Sequence, residues 1–330
     1  MIIVTGGAGF IGSNIVRGLN QRGIEDILVV DDLTDGNKCR NIQDCLFTDY
    51  MDKDDFLASV INDDSYQQDV QVIFHEGACS DTMETDGRFI MKNNYDYTKA
   101  LFNYCQEKKI QFIYASSAST YGNNQHFVEH PNNEQALNAY AYSKLLFDQY
   151  LRRSWKKIES QVVGLRYFNV YGRGESHKGR MASVAYHFFH QFMEHGFVKL
   201  FEGSGGYGNG EQLRDFVWVD DIVNLNFHFL DNPEINGIFN AGTGKAGSFN
   251  DVATAVLNAI EQKDKTTDEW VKLNKLQYID FPAALLGKYQ SYTQANLEKL
   301  RNEGSYSRSF ADVKKGVSAY VSQLQDETIL

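Results

Sequence analysis

Residues 1–12 of this 330-residue chain read Met-Ile-Ile-Val-Thr-Gly-Gly-Ala-Gly-Phe-Ile-Gly, and they restrict the fold more than any other stretch. A short apolar run, Ile2 to Val4, passes straight into Gly6, Gly9 and Gly12. A strand that turns through glycines into a helix leaves bare amide N–H groups at the helix start. Those groups and the helix dipole suit a pyrophosphate. The spacing G-x-x-G-x-x-G has one more residue between the first two glycines than the dehydrogenase fingerprint, and glycines alone also make a ligand-free turn. The surroundings favour the ligand. A helix is predicted over 11–22 and a second strand over 27–30, followed by Asp31 and Asp32. An acid at the end of the second strand, about 20 residues past the glycines, is where a dinucleotide ribose hydroxyl is bound.

Composition narrows the partners. Hydrophobic residues make up 42% and charged residues 23%, as in soluble globular enzymes. The net charge of −11 and the lack of a basic block argue against nucleic acid. No apolar run approaches the roughly 20 residues that span a bilayer. The strand beginning at Ile2 leaves no room for a signal peptide. Cys39, Cys45, Cys79 and Cys105 lack C-x-x-C spacing, so they read as reduced thiols of a cytoplasmic protein, without a metal site.

Apolar strands alternate with helical stretches over the first 170 residues or so, the pattern of an α/β doubly wound parallel sheet. Candidate strands are 2–4, 27–30, 70–76, 111–116 and 161–167, with helices that include 93–108 and 138–153. From residue 172 the texture changes. Residues 173–180 and 203–212 read as glycine-rich loops, 181–195 as a helix, and 198–201, 214–219 and 238–241 as strands, with later helices at 249–263 and 294–302. This gives a Rossmann-type domain over 1–171 with returns at about 214–246, and a smaller interleaved domain over 172–330 that is mainly substrate-binding.

The second constellation is Tyr140-Ala-Tyr-Ser-Lys144. Positions i and i+4 share one helix face, so phenol and ammonium can stand together. A free phenol titrates near 10, too high for a base at neutral pH, and a neighbouring cation lowers it. Such a pair can take a proton from a substrate hydroxyl as hydride leaves the same carbon. Tyr142, two residues from Lys144, faces away. The fourth strand runs into Ser116-Ser117, and strand ends on this side of a parallel sheet line the ligand crevice. The third strand ends in His75-Glu76-Gly77-Ala78, again at the crevice.

Thr5-Gly-Gly-Ala-Gly-Phe-Ile-Gly12, Ser117 and Tyr140-x-x-x-Lys144, with Arg214-Asp-Phe-Val-Trp-Val-Asp-Asp221 and Asn240-Ala-Gly-Thr-Gly244, resemble the extended short-chain dehydrogenases/reductases, the nucleotide-sugar epimerases and dehydratases. Within that family, His75-Glu-Gly-Ala-Cys-Ser80, Arg166-Tyr-Phe-Asn-Val-Tyr-Gly172, His177-Lys-Gly-Arg-Met-Ala-Ser183, Lys199-Leu-Phe-Glu-Gly-Ser204 and Tyr289-Gln-Ser-Tyr-Thr-Gln294 resemble the branch that acts on ADP-heptose. The resemblance implies inversion at C6 of ADP-glycero-D-manno-heptose, for the lipopolysaccharide inner core, by a recycled NADP in a cytoplasmic homopentamer. It implies catalytic roles for Tyr140, Ser117, Lys144 and, as the second proton-transfer group, Lys178, whose other reading is a loop cation or phosphate contact. Cofactor contacts fall to Gly6, Gly9, Phe10, Ile11, Gly12, Asp31, Asp32, Lys38, Lys53, Glu76, Gly77, Ala78, Cys79, Ser80, Asn93, Lys144, Val170 and Lys178. Substrate contacts fall to Ser117, Asn169, Arg180, His187, Phe201, Glu202, Gly203, Ser204, Arg214 and Tyr289.

Two points stay open in the residues. Asp31 and Asp32 favour NAD, because an acid repels a 2′-phosphate, whereas Lys38 and Lys53 can neutralise that phosphate and fit NADP. The alternatives to a heptose epimerase are another nucleotide-sugar epimerase, such as a UDP-sugar 4-epimerase, or a non-catalytic dinucleotide sensor. Intact Ser117, Tyr140 and Lys144 argue against the sensor, and Ala118-Ser119 after Ser117, in place of an Asp-Glu pair, argues against dehydration.

Overall fold

The computed structural model describes residues 1–62, 69–282 and 290–329. The elements run β1 (Ile2–Thr5), α1 (Phe10–Gln21), β2 (Ile27–Asp31), β3 (Asp49–Asp52), α2 (Lys53–Ile61), β4 (Val72–His75), α3 (Gly87–Ile90), α4 (Tyr97–Lys108), β5 (Gln111–Ser117), α5 (Ala139–Ser154) and β6 (Val162–Tyr167). They continue with β7 (Asn169–Tyr171), α6 (Val184–His195), β8 (Val198–Phe201), β9 (Leu213–Arg214), β10 (Phe216–Trp218), α7 (Val219–Asp231) and β11 (Gly237–Ala241). The last are β12 (Gly247–Ser248), α8 (Phe249–Glu261), α9 (Thr267–Lys272), β13 (Leu276–Ile279), α10 (Glu298–Asn302) and α11 (Val313–Ile329).

The chain divides into two compact units. The first comprises Met1–Tyr167, Ile222–Ala241 and Leu297–Ser307. Its seven-stranded sheet has the order β11-β6-β5-β4-β1-β2-β3, with every pairing parallel. This is the Rossmann-type doubly wound α/β fold. Strands of such a sheet are covered on both faces, so they are continuous apolar runs. In β1 and β2 every residue is buried. The exception is β3, Asp-Tyr-Met-Asp, a polar strand at the sheet edge, which alternation of apolar runs did not predict. The chain leaves β1 toward β2 and β3 on one side and resumes at β4 on the other. The C-terminal ends of β1 and β4 therefore form the switch point where ligands of open α/β sheets bind. Close helix packing keeps α1 there, since a Cβ on Gly18 would stand 2.8 Å from Val223 and Phe227 of α7.

The helix predicted over 93–108 begins earlier and is not uniform. It runs through α3, a π-helical turn at Met91–Asp96 and then α4. The wide turn sets Asn94 inward, where it is buried. Local periodicity carries no signal for a π turn.

The second unit comprises Phe168–Asp221, Gly242–Asn296 and Arg308–Leu330. Its core gathers Phe189, Val256, Trp270, Tyr320 and Val321 from α6, α8, α9 and α11. Short strand pairs edge it: β7 with β10, β8 with β13 and β9 with β12. The strand predicted over 214–219 is thus two pieces, broken at buried Asp215. The helix predicted over 294–302 is only the short α10. The final helix, α11, approaches β7 so closely that a Cβ on Gly316 would lie 2.0 Å from the Tyr171 hydroxyl. No helix among the described residues is long and apolar enough to cross a membrane.

Candidate active site

The glycine turn is shaped by backbone crowding. Gly6 has φ +66°, and a Cβ there would stand 2.6 Å from the Gly77 nitrogen, so the loops after β1 and β4 touch backbone to backbone. A Cβ on Gly12 would fall 2.1 Å from the Gly6 carbonyl oxygen. Gly9 caps α1 without a side-chain hydrogen bond, and no acid lies in the first turn that Phe10, Ile11 and Gly12 form. A helix start with that composition offers amide donors and positive potential to an anion. Gly12→Ala is expected to lose co-purifying nucleotide and to lower stability by about 1–3 kcal/mol, the usual cost of overpacking. Nucleotide content and a urea melt both matching the parent would contradict this crowding argument.

At the end of β2, Asp31 is buried and its carboxylate is engaged within the protein. Oδ2 accepts the Ala8 amide at 2.8 Å, and Oδ1 accepts the Asp32 amide at 2.7 Å and the Lys38 ammonium. The Lys38 ammonium also donates to the Asp32 carbonyl at 2.9 Å. Lys53 lies 3.8 Å from the Asp32 carboxylate and 3.1 Å from that of Asp54. The two acids and two lysines named by the sequence are therefore one local cluster.

Ser117 ends β5, and Tyr140 and Lys144 stand on α5, which Asn138 caps by accepting the Ala141 amide at 2.8 Å. The Tyr140 phenol is held above its ordinary value, chiefly by burial. A hydrogen bond with Ser117 pulls it down, and the charges of Cys79 and Glu76 push it up. Lys144, one turn on from Tyr140, stands on the same helix. The Ser119 hydroxyl donates to Ser117 Oγ at 2.9 Å. Lys144 is buried and donates to the Ala115 carbonyl at 2.8 Å. Burial lowers it to about 8, against the charges of Glu76 and Asp148. Tyr142, by contrast, is 49% exposed.

A buried ionic network underlies this helix. Asp148 accepts Tyr114 Oη at 2.9 Å, Ser116 Oγ at 3.0 Å, and Arg166 through Nε at 3.0 Å and a terminal nitrogen at 2.7 Å. Arg166 also reaches Glu134, which pairs with Arg152. The network ties β5 to α5, and so Ser117 to the helix that carries Tyr140.

The loop after β4 holds the other group. His75 sits between Thr5 Oγ1 at 2.6 Å and Thr98 Oγ1 at 2.8 Å, and burial pushes it down to about 3, so it stays neutral. Glu76 accepts the Tyr167 hydroxyl at 2.9 Å, and burial raises it to about 7. Beyond Gly77 and Ala78, the Cys79 amide donates to Asn94 Oδ1 at 2.8 Å, and Asn94 Nδ2 donates to the Cys79 carbonyl at 3.0 Å and to Ser143 Oγ at 3.1 Å. Asn94 thereby joins this loop to α5. Asn93, the residue named from the sequence, donates to the Phe89 carbonyl at 2.9 Å, and Ser80 is exposed.

The second unit carries the remaining named residues. Lys178 and Arg180 lie in a 3₁₀ turn, Ser176–Met181, braced by a residue the sequence reading passed over. Glu175 is fully buried and accepts the Ser183 amide at 2.5 Å and hydroxyl at 2.6 Å. Burial lowers Lys178, and Glu175 opposes that shift. His187, on α6, lies edge-on to Tyr186. Val170 pairs with Val217, and Asn169 is exposed, its amide bonded to the Asp215 carbonyl at 3.0 Å. Arg214 is buried, donates to the Leu213 carbonyl at 2.9 Å and lies 5.7 Å from the Phe249 ring centre. Phe201, Glu202, Gly203 and Ser204 open a loop closed on itself. The Gly210 amide donates to the Phe201 carbonyl at 3.0 Å, the Gly203 amide to Asn209 at 2.9 Å, and Gln212 to Glu202 and Ser204 at 3.2 Å. Tyr289 lies outside the described residues.

The chain as a whole is similar to known proteins. Residues 2–242 match the NAD dependent epimerase/dehydratase family. The ADP-L-glycero-D-manno-heptose-6-epimerase of Thiobacillus denitrificans (strain ATCC 25259 / T1) is 54% identical over 326 residues, covering 98% of each chain. The protein of the same description from Alkalilimnicola ehrlichii (strain ATCC BAA-1101 / DSM 17681 / MLHE-1) is 53% identical, covering 99% of this chain and 98% of its own. The crystal structure of Helicobacter pylori ADP-L-glycero-D-manno-heptose-6-epimerase superposes with a TM-score of 0.81 at 28% identity, covering 98% of this chain and 96% of that one. With a glycine turn at the switch point and Ser117, Tyr140 and Lys144 gathered beside it, the chain belongs to the NAD dependent epimerase/dehydratase family.

Proposed function

We propose that this protein inverts C6 of ADP-glycero-D-manno-heptose, from the D,D to the L,D form, in lipopolysaccharide inner-core precursor synthesis. The observation that carries this reading is the placement of Tyr140 and buried Lys144 one turn apart on α5 with Ser117 at the end of β5, in a chain more than half identical to two enzymes described by that activity. The residues present fit a dinucleotide, since the uncapped, acid-free start of α1 is a donor set for a pyrophosphate. Gly6, Gly9 and the first turn of α1 would hold that group, the cluster of Asp31, Asp32, Lys38 and Lys53 the adenosine ribose, and Lys144 the nicotinamide ribose. When bound, the dinucleotide supplies a hydride acceptor that becomes the donor in the return step, so no net redox change results.

Tyr140 takes the substrate hydroxyl proton as the carbon is oxidised, and gives a proton back on reduction. Ser117 hydrogen-bonds the reacting oxygen. A ketone returned through its opposite face is served by a second proton-transfer group, the role this reading gives Lys178, whose lowered affinity for its proton suits it.

The reading includes NADP as the nucleotide. Its support is that the Asp31 carboxylate is already taken up by two amides and Lys38, while Lys53 brings a second cation to the same cluster 3.8 Å from Asp32. Denaturing the purified protein and weighing the released nucleotide is expected to give NADP; NAD alone would overturn this choice. Turnover of ADP-heptose without added cofactor is expected too, and a strict need for added nucleotide would count against a recycled one.

A further inference from the structure

We propose that Glu175 is a positioning residue whose carboxylate closes the chain between Gly172 and Ser183 into a fixed loop and so holds Lys178 in place. The inference deepens the reading of Lys178 given above and rests on it for its effect on turnover, but the loop closure can be measured without it.

The loop leaves β7 at Tyr171 and enters α6 at Val184. Glu175 is fully buried within it. Its backbone begins the 3₁₀ turn Ser176–Met181, yet its side chain caps no amide of that turn. The carboxylate reaches to the two ends of the loop instead. Oε1 accepts the Gly172 amide at 3.4 Å, where the loop starts, and the Ser183 hydroxyl at 2.6 Å, where it ends. Oε2 accepts the Ser183 amide at 2.5 Å. Three donors thus meet on one side chain, and each of its oxygens faces an N–H. Only an acceptor at both positions satisfies them, since a carboxamide would turn its NH₂ toward one of the two amides. Burying a carboxylate is costly unless such donors replace its water, and here they do.

Both clamped points are themselves anchored. Gly172 has φ +144°, and a Cβ there would stand 2.5 Å from the Val219 side chain. Ser183 caps α6, its hydroxyl oxygen accepting the Tyr186 amide at 3.2 Å and its carbonyl the His187 amide at 3.1 Å. Lys178 lies between these points. Its amide donates to the Glu175 carbonyl at 3.0 Å. The next residue, Gly179, has φ +51°, a kink that glycine takes without strain, and its carbonyl accepts the Ala182 amide at 3.0 Å. The backbone on each side of Lys178 is therefore set by the turn, and the turn is set by Glu175. A proton-transfer group misplaced by about 1 Å loses about 10²-fold in rate, so a residue that fixes the loop acts on the reaction without touching substrate.

The test pairs two measurements on the purified protein. Hydrogen exchange read by mass spectrometry over 172–183 is expected to lose protection in Glu175→Ala. A smaller loss is expected in Glu175→Gln, which fills the same space and serves if the alanine variant fails to fold. A loop that exchanges as in the parent in both variants overturns the proposal. Glu175→Ala is also expected to lower kcat for ADP-heptose by about 10²-fold with KM little changed, and Glu175→Gln by less. In a Lys178→Met background the same substitutions are expected to cost no further turnover, because residues that act as a unit are not additive. An equal loss in both backgrounds would make Glu175 a general support of the fold and overturns the proposal too. A Lys178→Met protein that turns over ADP-heptose like the parent would sink the reading of Lys178 alone, because exchange over 172–183 would still report the closure.

Discussion

Tyr140→Phe is expected to lower C6 epimerisation by about 10²–10⁴-fold, the range lost with a general acid–base group, while leaving nucleotide bound. The substitution removes one oxygen and leaves the ring. The side chain is partly buried, and its hydroxyl interacts with Ser117. Phe fills the same space, and α5 keeps the Asn138 cap and the Asp148 network that fix it. The glycine turn and the Asp31–Lys38 cluster, which this reading assigns to the nucleotide, lie at β1, α1, the end of β2 and the turn after it and are untouched. Steady-state turnover by NMR and nucleotide content by absorbance check both halves. Near-normal turnover would remove Tyr140 from the reaction, whereas loss of nucleotide together with turnover would make the residue a binding group.

The second large effect is on stability. Asp148→Ala is expected to cost about 3–5 kcal/mol, because it strands a buried cation. Arg166 has no exposure, and Asp148 accepts two of its nitrogens as well as Tyr114 and Ser116. Glu134 remains as a partner for one guanidinium nitrogen, which limits the loss to a broken pair rather than a bare charge. The exposed pair Arg22–Asp231, 2.7 Å apart, makes the contrast, since removing it should cost about 1 kcal/mol or less. Urea denaturation of both variants measures the difference, and equal costs would contradict the weight given to the buried network. Asp148→Ala should also loosen the link between β5 and α5, so activity at a temperature where it is still folded is expected to fall as well.

What could be read from residues alone follows from where the information lies. The β1–α1–β2 unit announces itself because parallel strands buried on both faces must be apolar runs and because a tight turn needs glycine. By the same rule β3 is silent, as a polar edge strand has one side free. The second unit is harder, since two-residue strands such as β9 and β12 are too short to show alternation. The helix α11 is obscured by Gly316 and its valines, which lower helix propensity, although Val317, Tyr320, Val321 and Leu324 form its buried stripe with partly buried Val313 beside it.

The candidate site divides in the same way. Ser117, Tyr140 and Lys144 were visible because the chemistry sits at a strand end and at helical spacing. Glu76 was visible only as part of a motif. What surrounds it depends on Tyr167, 91 residues away. Asn94 joins Cys79 to Ser143 through a π turn, Glu175 braces the Lys178 loop, and Asp148 binds Arg166, and each of these roles exists only through space.

The most direct test of the central claim is proton and carbon NMR of ADP-D-glycero-D-manno-heptose incubated with the purified protein in D₂O, with no cofactor added. The account predicts inversion at C6 with the original protium retained there, because the hydrogen leaves as hydride and returns without exchange. Either no inversion at C6, or inversion with deuterium incorporated at that carbon, would contradict it.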